Sequence, residues 1–301
     1  MVSLESAEEA MARRGKIAQE LIALERPDLI DLFLTYQNEA IAARKFLQSS
    51  LIELNPEAEI LEVGGGILAL AIQLASEGFR VTTVEPIGAG FNGITYIMSI
   101  FSKIARTESV TFNLVESPIE VCAFDHKFNF IFSINVMEHL KDPYKVLIQM
   151  SRALKLGGKY RFFCPNYDFP YEPHFSKWLW RRRGNSFFLE EARANGLKLD
   201  PTEQKGLYDS LNFITLRKLK SFSRKNEIDF LYNKFALTNL ISRALHDSNL
   251  QKRHKGLTAA IKILKFSGLL KIAEYLHPNF QPIIDATVFS QNKTNSKPAE
   301  Y

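Results

Sequence analysis

A short apolar run, AEILEV at residues 58–63, opens directly into Gly64-Gly65-Gly66 and then into ILALAIQLASEG at residues 67–78. The run has the length of a strand. Ile67, Leu70, Ala71, Leu74 and Ala75 then recur at the helical period, and Gly78 is placed to stop the helix. Glycine lacks a Cβ and tolerates backbone angles closed to other residues, so a chain turning here brings bare backbone close to whatever lies beside it. Strand, glycine turn and helix in that order commit the region to an α/β unit.

The pattern then repeats. RVTTV (80–84) reads as a β-branched strand that ends at Glu85-Pro86, a helical stretch surrounds Tyr96 to Ala105, and VTFNLVES (110–117) is a third strand. FNFIFSIN (128–135) is apolar on both faces, as a central parallel strand covered on both sides must be. Asp142-Pro143 supplies an N-cap and first helical residue, and Val146, Leu147, Met150 and Leu154 form an apolar stripe. Gly157-Gly158 is expected to end that helix before the strand KYRFFCP (159–165). Before the first strand, residues 4–54 read as helices interrupted at Pro27. After Pro165 the spacing predicts a capped basic helix over Thr215 to Lys225 and a strand at Ile228 to Tyr232. A helical segment from Gly256 to Leu276, a last strand at Pro282 to Phe289 and a disordered tail from Asn292 follow. Strands alternating with helices predict an α/β fold with a doubly wound, mostly parallel sheet.

Composition narrows the partners. The formal charge is +5, with basic residues bunched at Lys177–Arg183, Arg217–Lys225 and Lys252–Lys255. Such clusters suit an anionic substrate, RNA or a membrane surface, and they equally suit solvated faces. No RNA-binding module is recognisable, so nucleic acid is not the expected partner, while the basic amphipathic stretch Lys262 to Lys271 fits an acidic or lipid-linked molecule or peripheral membrane contact. The two cysteines, Cys122 and Cys164, form no metal-binding or disulfide pattern, and no metal is expected. The first residues carry glutamates and no apolar core of a secretory signal, and no apolar run has membrane-spanning length, so a cytoplasmic setting is expected.

The chemistry concentrates around the glycine turn. A helix of about a dozen residues covers roughly 18 Å, enough to return the chain so that Glu85 ends the neighbouring strand beside the glycines. A carboxylate there can accept both hydroxyls of a ribose. Gly64, Gly66 and Ala69 also satisfy the spacing of a dinucleotide-binding turn, which keeps an NAD(P)-dependent oxidoreductase as an alternative. Against it stands Glu62, a carboxylate inside an otherwise apolar strand, whose burial demands partners.

ILEVGGGIL, VTTVEP, SPIEVC and FNFIFSINVMEHLKDPYKVLIQMSRALKLGGKYRFFCPN, in that order over residues 58–166, resemble the class I S-adenosylmethionine (SAM)-dependent methyltransferases of the small-molecule type 11/23-like group. The resemblance implies a Rossmann-like sheet of seven strands, the last antiparallel, and SAM as cofactor. It places Glu62, Gly64, Gly65 and Gly66 in the first SAM motif, Glu85 and Pro86 at the ribose, and Ile87 beside the adenine. Glu116 and Ser117 fall in the loop near the adenine amino group, and either takes that role. Leu68 stands where many relatives have a third glycine. Asn135 corresponds to the position near the methionine part, and a plain turn cap is the other reading of it. The chain divides accordingly into an N-terminal helical lid (1–54), a SAM-binding core (55–165), and a substrate-side loop with helical insertion and closing strands (166–301).

The acceptor side is read from CPNYDFPYEPHF (164–175), which follows the fifth strand at the edge where ligands gather in open parallel sheets. Asn166, Tyr171, Glu172 and His174 are its candidate substrate residues, with a surface turn as the plain alternative. His139, four residues beyond Asn135, is the first candidate for a general base and His174 the second. A structural role for His139 stays open, because the sequence shows no group that would orient it. The expectation is methyl transfer to oxygen or nitrogen of a small-molecule acceptor, with a catalytically degenerate SAM-binding protein as a further alternative.

Overall fold

A computed structural model of the chain describes residues 6–87, 92–175, 177–178, 201–239, 241 and 276–290. Two long helices come first, α1 (Ala7–Glu25) and α2 (Ile30–Leu51). Ser6 starts α1 through a reciprocal capping box with Glu9, and Pro27 opens the short turn that separates the two helices. Strands and helices then alternate as β1 (Glu59–Val63), α3 (Ala69–Ser76), β2 (Arg80–Val84), α4 (Asn92–Thr107), β3 (Asn113–Val115), β4 (Phe128–Ile134), α5 (Pro143–Ala153) and β5 (Leu154–Pro165). A two-stranded ribbon, β6 (Tyr171–Glu172) with β7 (Lys177–Trp178), precedes α6 (Pro201–Ser210), α7 (Leu216–Lys225), β8 (Phe230–Tyr232) and β9 (Ile283–Phe289).

Seven strands form one sheet in the order β3-β2-β1-β4-β5-β9-β8. Its first five strands are parallel, and β9 inserts antiparallel between β5 and β8. The period of two along each strand loads both faces. Ile60, Phe130 and Phe132 pack with Leu47 of α2 and Leu70 and Leu74 of α3, while Leu61, Val63 and Ile131 pack with Val146, Leu147 and Met150 of α5. The helices of α1 belong to the first layer: Ala18 and Ile22 are buried against α3 and α4. Arg14 ties them further, donating to Glu108 Oε2 at 2.6 Å and to Gln73 Oε1 at 2.8 Å.

Two local expectations change. The helix after Asp142-Pro143 ends at Ala153, and Leu154 already lies in β5, opposite Phe128. Gly157-Gly158 therefore does not stop a helix. It marks the irregularity in the β4–β5 register, where a Cβ on Gly158 would lie 2.9 to 3.1 Å from three backbone carbonyl oxygens. The third strand is also shorter than VTFNLVES, because only Asn113 to Val115 pair with β2. The predicted helix from Gly256 to Leu276, all but its last residue, and the tail from Asn292 lie outside the described residues, and so does all of KWLWRRR beyond the backbone of Lys177-Trp178. No helix among the described residues is long and apolar enough to cross a membrane.

Candidate active site

The parallel strands all deliver their C-terminal ends to one edge, and the strand order reverses between β1 and β4, opening a crevice there. That crevice is where open α/β sheets bind ligands. The glycine turn occupies it. Gly64 (φ +83°) and Gly66 (φ +50°) both take left-handed backbone angles, and Gly64 N–H donates to Val84 O at 2.9 Å. Side chains would collide here: a Cβ on Gly64 would sit 2.3 Å from Val136 Cγ2, and one on Gly65 would sit 2.2 Å from Thr83 Oγ1. Leu68 also adopts a left-handed φ of +68°, and the residue is fully buried.

Glu62 has the partner its burial requires, since Thr83 Oγ1 donates to its Oε2 at 3.1 Å. Burial nevertheless pushes its carboxyl up to about 8. Glu85 lies just beyond β2 and accepts from Gly66 N–H at 2.9 Å, so the carboxylate and the turn meet as the spacing predicted. Burial raises Glu85 to about 7, opposed by the backbone N–H groups of Gly66 and Gly65. Pro86 and Ile87 follow as exposed residues, and α2 lays Tyr36 over the turn, 3.3 Å from where a Gly66 Cβ would be. Glu116 is exposed and Ser117 half-buried just past β3. Asn135, with φ +56°, ends β4 exposed, and its N–H donates to Phe163 O at 2.8 Å.

A second group gathers beyond β4 and β5. The turn Met137–His139 carries Glu138 and His139, and the loop after β5 carries Glu172 and His174. The imidazole rings of His139 and His174 lie edge to face with centroids 5.0 Å apart. His174 Nδ1 is 2.6 Å from Glu172 Oε1, and its Nε2 is 3.9 Å from Glu138 Oε1. Glu172 is itself held by Tyr167 Oη, which donates to Oε1 at 3.1 Å, and by Phe175 N–H, which donates to Oε2 at 2.6 Å. Burial works against a charged His174, yet the hydrogen bond and charge of Glu172 hold its pKa above the usual imidazole value. His139 moves the other way, down to about 3, through burial and the neighbouring His174. Burial raises Glu138 to about 7, countered by His174.

His139 therefore does have an orienting group: its Nδ1 lies 2.9 Å from Ser210 Oγ at the end of α6. A partner 71 residues away leaves no trace in local spacing. Glu138 was equally silent, being one acidic residue in MEHL, and its adjacency to His139 is the only signal that could have exposed it. Asn166 turns out differently from the expectation of a substrate residue. Its side chain is buried and fully engaged, donating to the carbonyls of Asn279 and Gln281 and accepting from the N–H groups of Asp168 and Leu216. It fastens the loop after β5 to α7 and to the approach of β9. Tyr171 sits half-buried in the β6–β7 ribbon beside Glu172.

A uniformly parallel six-stranded dinucleotide fold lacks the antiparallel strand that β9 provides, so the sheet is that of a Rossmann-like class I methyltransferase. The methyltransferase domain model matches residues 33–197. The chain belongs to this family of class I SAM-dependent methyltransferases. An uncharacterized protein of Mycobacterium tuberculosis is 34% identical over 255 residues, covering 82% of this chain and 84% of the relative. The ubiquinone biosynthesis O-methyltransferase of Rickettsia akari is 27% identical over 100 residues, 33% of this chain and 37% of that enzyme. Among solved structures, the Haemonchus contortus phosphoethanolamine N-methyltransferase 2 in complex with SAM is 19% identical with a TM-score of 0.45. That match covers 84% of this chain and 53% of the other, so this chain spans about half of the Haemonchus enzyme.

Proposed function

We propose that the protein transfers a methyl group from SAM to oxygen or nitrogen of a small-molecule acceptor held beyond β4 and β5. The observation that carries the reading is the meeting of Glu85 with the Gly66 N–H at the sheet's C-terminal edge, with the His139–His174 pair on the adjoining strand ends. The residues fit SAM. Glu85 offers a carboxylate for the ribose hydroxyls, the bare turn 64–66 admits close backbone approach, and Ile87 presents an exposed apolar side chain suited to the face of an adenine. Glu62, Pro86, Glu116, Ser117 and Asn135 complete the cofactor side.

SAM supplies a methyl group on a sulfonium, so the protein's task is to align the acceptor with it and exclude water. Residues 1–54 serve this by covering the turn through Tyr36, and residues 166–301 by carrying the acceptor-side loop. The proton that an acceptor hydroxyl or amine loses passes to the cluster of Glu138, His139 and His174, with Glu172 turning the His174 ring. This reverses the order of the two histidines expected from position along the chain, because His174 is the one held by a carboxylate. Exposed Lys218, Arg224 and Lys225 on α7, which begins against the loop after β5, favour an anionic or lipid-linked acceptor in a cytoplasmic setting.

Calorimetric titration with SAM tests the cofactor side. Glu85→Ala and Gly66→Val should each weaken binding at least tenfold, through lost charge-assisted hydrogen bonds of about 1.5 to 3 kcal/mol in the first case and blocked backbone approach in the second. Unchanged affinity in both folded variants rejects the site. Metabolite extracts incubated with methyl-labelled SAM, with and without the protein, then identify the acceptor, and a protein that binds SAM but labels nothing is a degenerate scaffold.

A further inference from the structure

Glu138 is fully buried, and neither of its carboxylate oxygens has a hydrogen-bond partner among the described residues. Leaving a buried carboxylate so exposed to its own desolvation is costly unless a cation completes it. The surroundings are arranged for one. One donor atom each from Glu138, His139 and His174 lies within 4.8 Å of the other two. On both histidines Nδ1 is already engaged, by Ser210 Oγ on His139 and by the Glu172 carboxylate on His174. That leaves Nε2 of each ring for the shared centre. A ring held from behind through its other nitrogen, most tellingly by a carboxylate, is the arrangement of metal-ligating histidines.

From these observations we infer that Glu138, His139 and His174 form a binding site for a divalent transition ion of the zinc type, with Glu172 and Ser210 as its outer supports. Donors about 2.0 to 2.2 Å from a common ion lie at most about 4.4 Å apart, so the 3.9 Å between His174 Nε2 and Glu138 Oε1 already fits. The remaining donor closes in by a side-chain movement of less than about 1 Å. Two imidazoles and one carboxylate leave a tetrahedral ion one position open for an exogenous oxygen ligand. An ion there binds an acceptor oxygen and eases loss of its proton, and metal uptake displaces the proton that the cluster otherwise carries. The inference deepens the methyl-transfer reading, resting on it for the acceptor's position but not for the ion itself.

The full chain, stripped with chelator and titrated with Zn2+ alone, should take up one equivalent and release protons. Co2+ in its place should give a visible spectrum of nitrogen and oxygen ligands without a thiolate band. His139→Ala and His174→Ala should lower Zn2+ affinity at least tenfold, Glu172→Gln on the order of ten- to a hundredfold as an outer support, and Cys122→Ser not at all. Should Glu138→Gln fail to fold, the wild-type Co2+ spectrum and the two histidine variants still decide. Absence of stoichiometric Zn2+ binding, or binding unchanged in both histidine variants, overturns the metal site. If SAM titration remains normal in that case, the methyl-transfer reading survives and the imidazoles accept the proton directly.

Discussion

Glu62 on β1 and Glu85 just beyond β2 both rise above the ordinary carboxylate range because burial penalises their charge. The groups facing Glu85 are Glu62 and the Tyr36 phenol, which burial pushes up and keeps neutral. The folded state thus holds protons on both carboxylates that the unfolded chain has released. The stability this confers is present at low pH and is lost as pH rises through the folded values of about 7 and 8. Urea unfolding should show the stability of wild type relative to Glu62→Gln falling between about pH 5 and pH 8. If Glu85 holds the ribose as proposed, the hydroxyls donate to its charged form, so SAM affinity should rise as pH climbs through 7 and level off above it, a dependence that Glu85→Gln abolishes in calorimetry. Gly65→Ala tests the turn itself. Its Cβ would sit 2.2 Å from Thr83 Oγ1, the donor to Glu62, so the variant should lose about 1 to 3 kcal/mol in chemical denaturation. The glycines and both carboxylates were legible in the sequence because a polar or Cβ-less residue inside an apolar run has few innocent explanations. Thr83 and Tyr36 were not, since their roles exist only across a strand pair and a helix packing.

At the scale of elements, local signals served well where the cap is made by neighbouring residues. Asp142 accepts from the N–H groups of Tyr144 and Lys145, and Thr215 from that of Lys218, so α5 and α7 begin where their sequences place them. Asp142→Ala should therefore lower the thermal or urea midpoint by the equivalent of about 1 kcal/mol without changing SAM affinity. The helix α5 ends before the glycines that its local sequence marks as a stop, because Gly-Gly stops a helix only when no strand competes. Here Leu154 is drawn into the sheet opposite Phe128, three residues before the glycines. Pairing with β4 outweighs the local preference, as sheet contacts commonly do.

In the whole molecule, one polar cluster ties the late strands to the early helices. Arg161 of β5 donates two parallel hydrogen bonds of 2.9 Å to Asp285 of β9, whose carboxylate also accepts from Asn233 beyond β8 at 2.8 Å. The same guanidinium donates to Phe46 O and Ser50 Oγ of α2, and lies 3.9 Å from the centre of the Phe46 ring. Removing Asp285 strands a largely buried cation, so Asp285→Ala should cost about 3 to 5 kcal/mol of stability. Denaturant unfolding checks this, and a loss below about 1 kcal/mol would show the pair to be dispensable.

By itself the sequence determined the alternation of strands and helices, the glycine turn, the carboxylate of Glu85 beside it and the burial of the central strand. All of these are written in periodicities of two and 3.6 residues or in the identity of one residue within such a run. Only the tertiary structure decided that β9 enters between β5 and β8, that Asn166 fastens a loop, and that Glu138, His139, Glu172, His174 and Ser210 share one place. Those residues come from two strand-end loops and a helix end up to 72 positions apart, and no local energy term couples them. Their meeting follows from the parallel βα arrangement, covered by helices on both faces, which brings the C-terminal ends of β1 to β5 to the same edge.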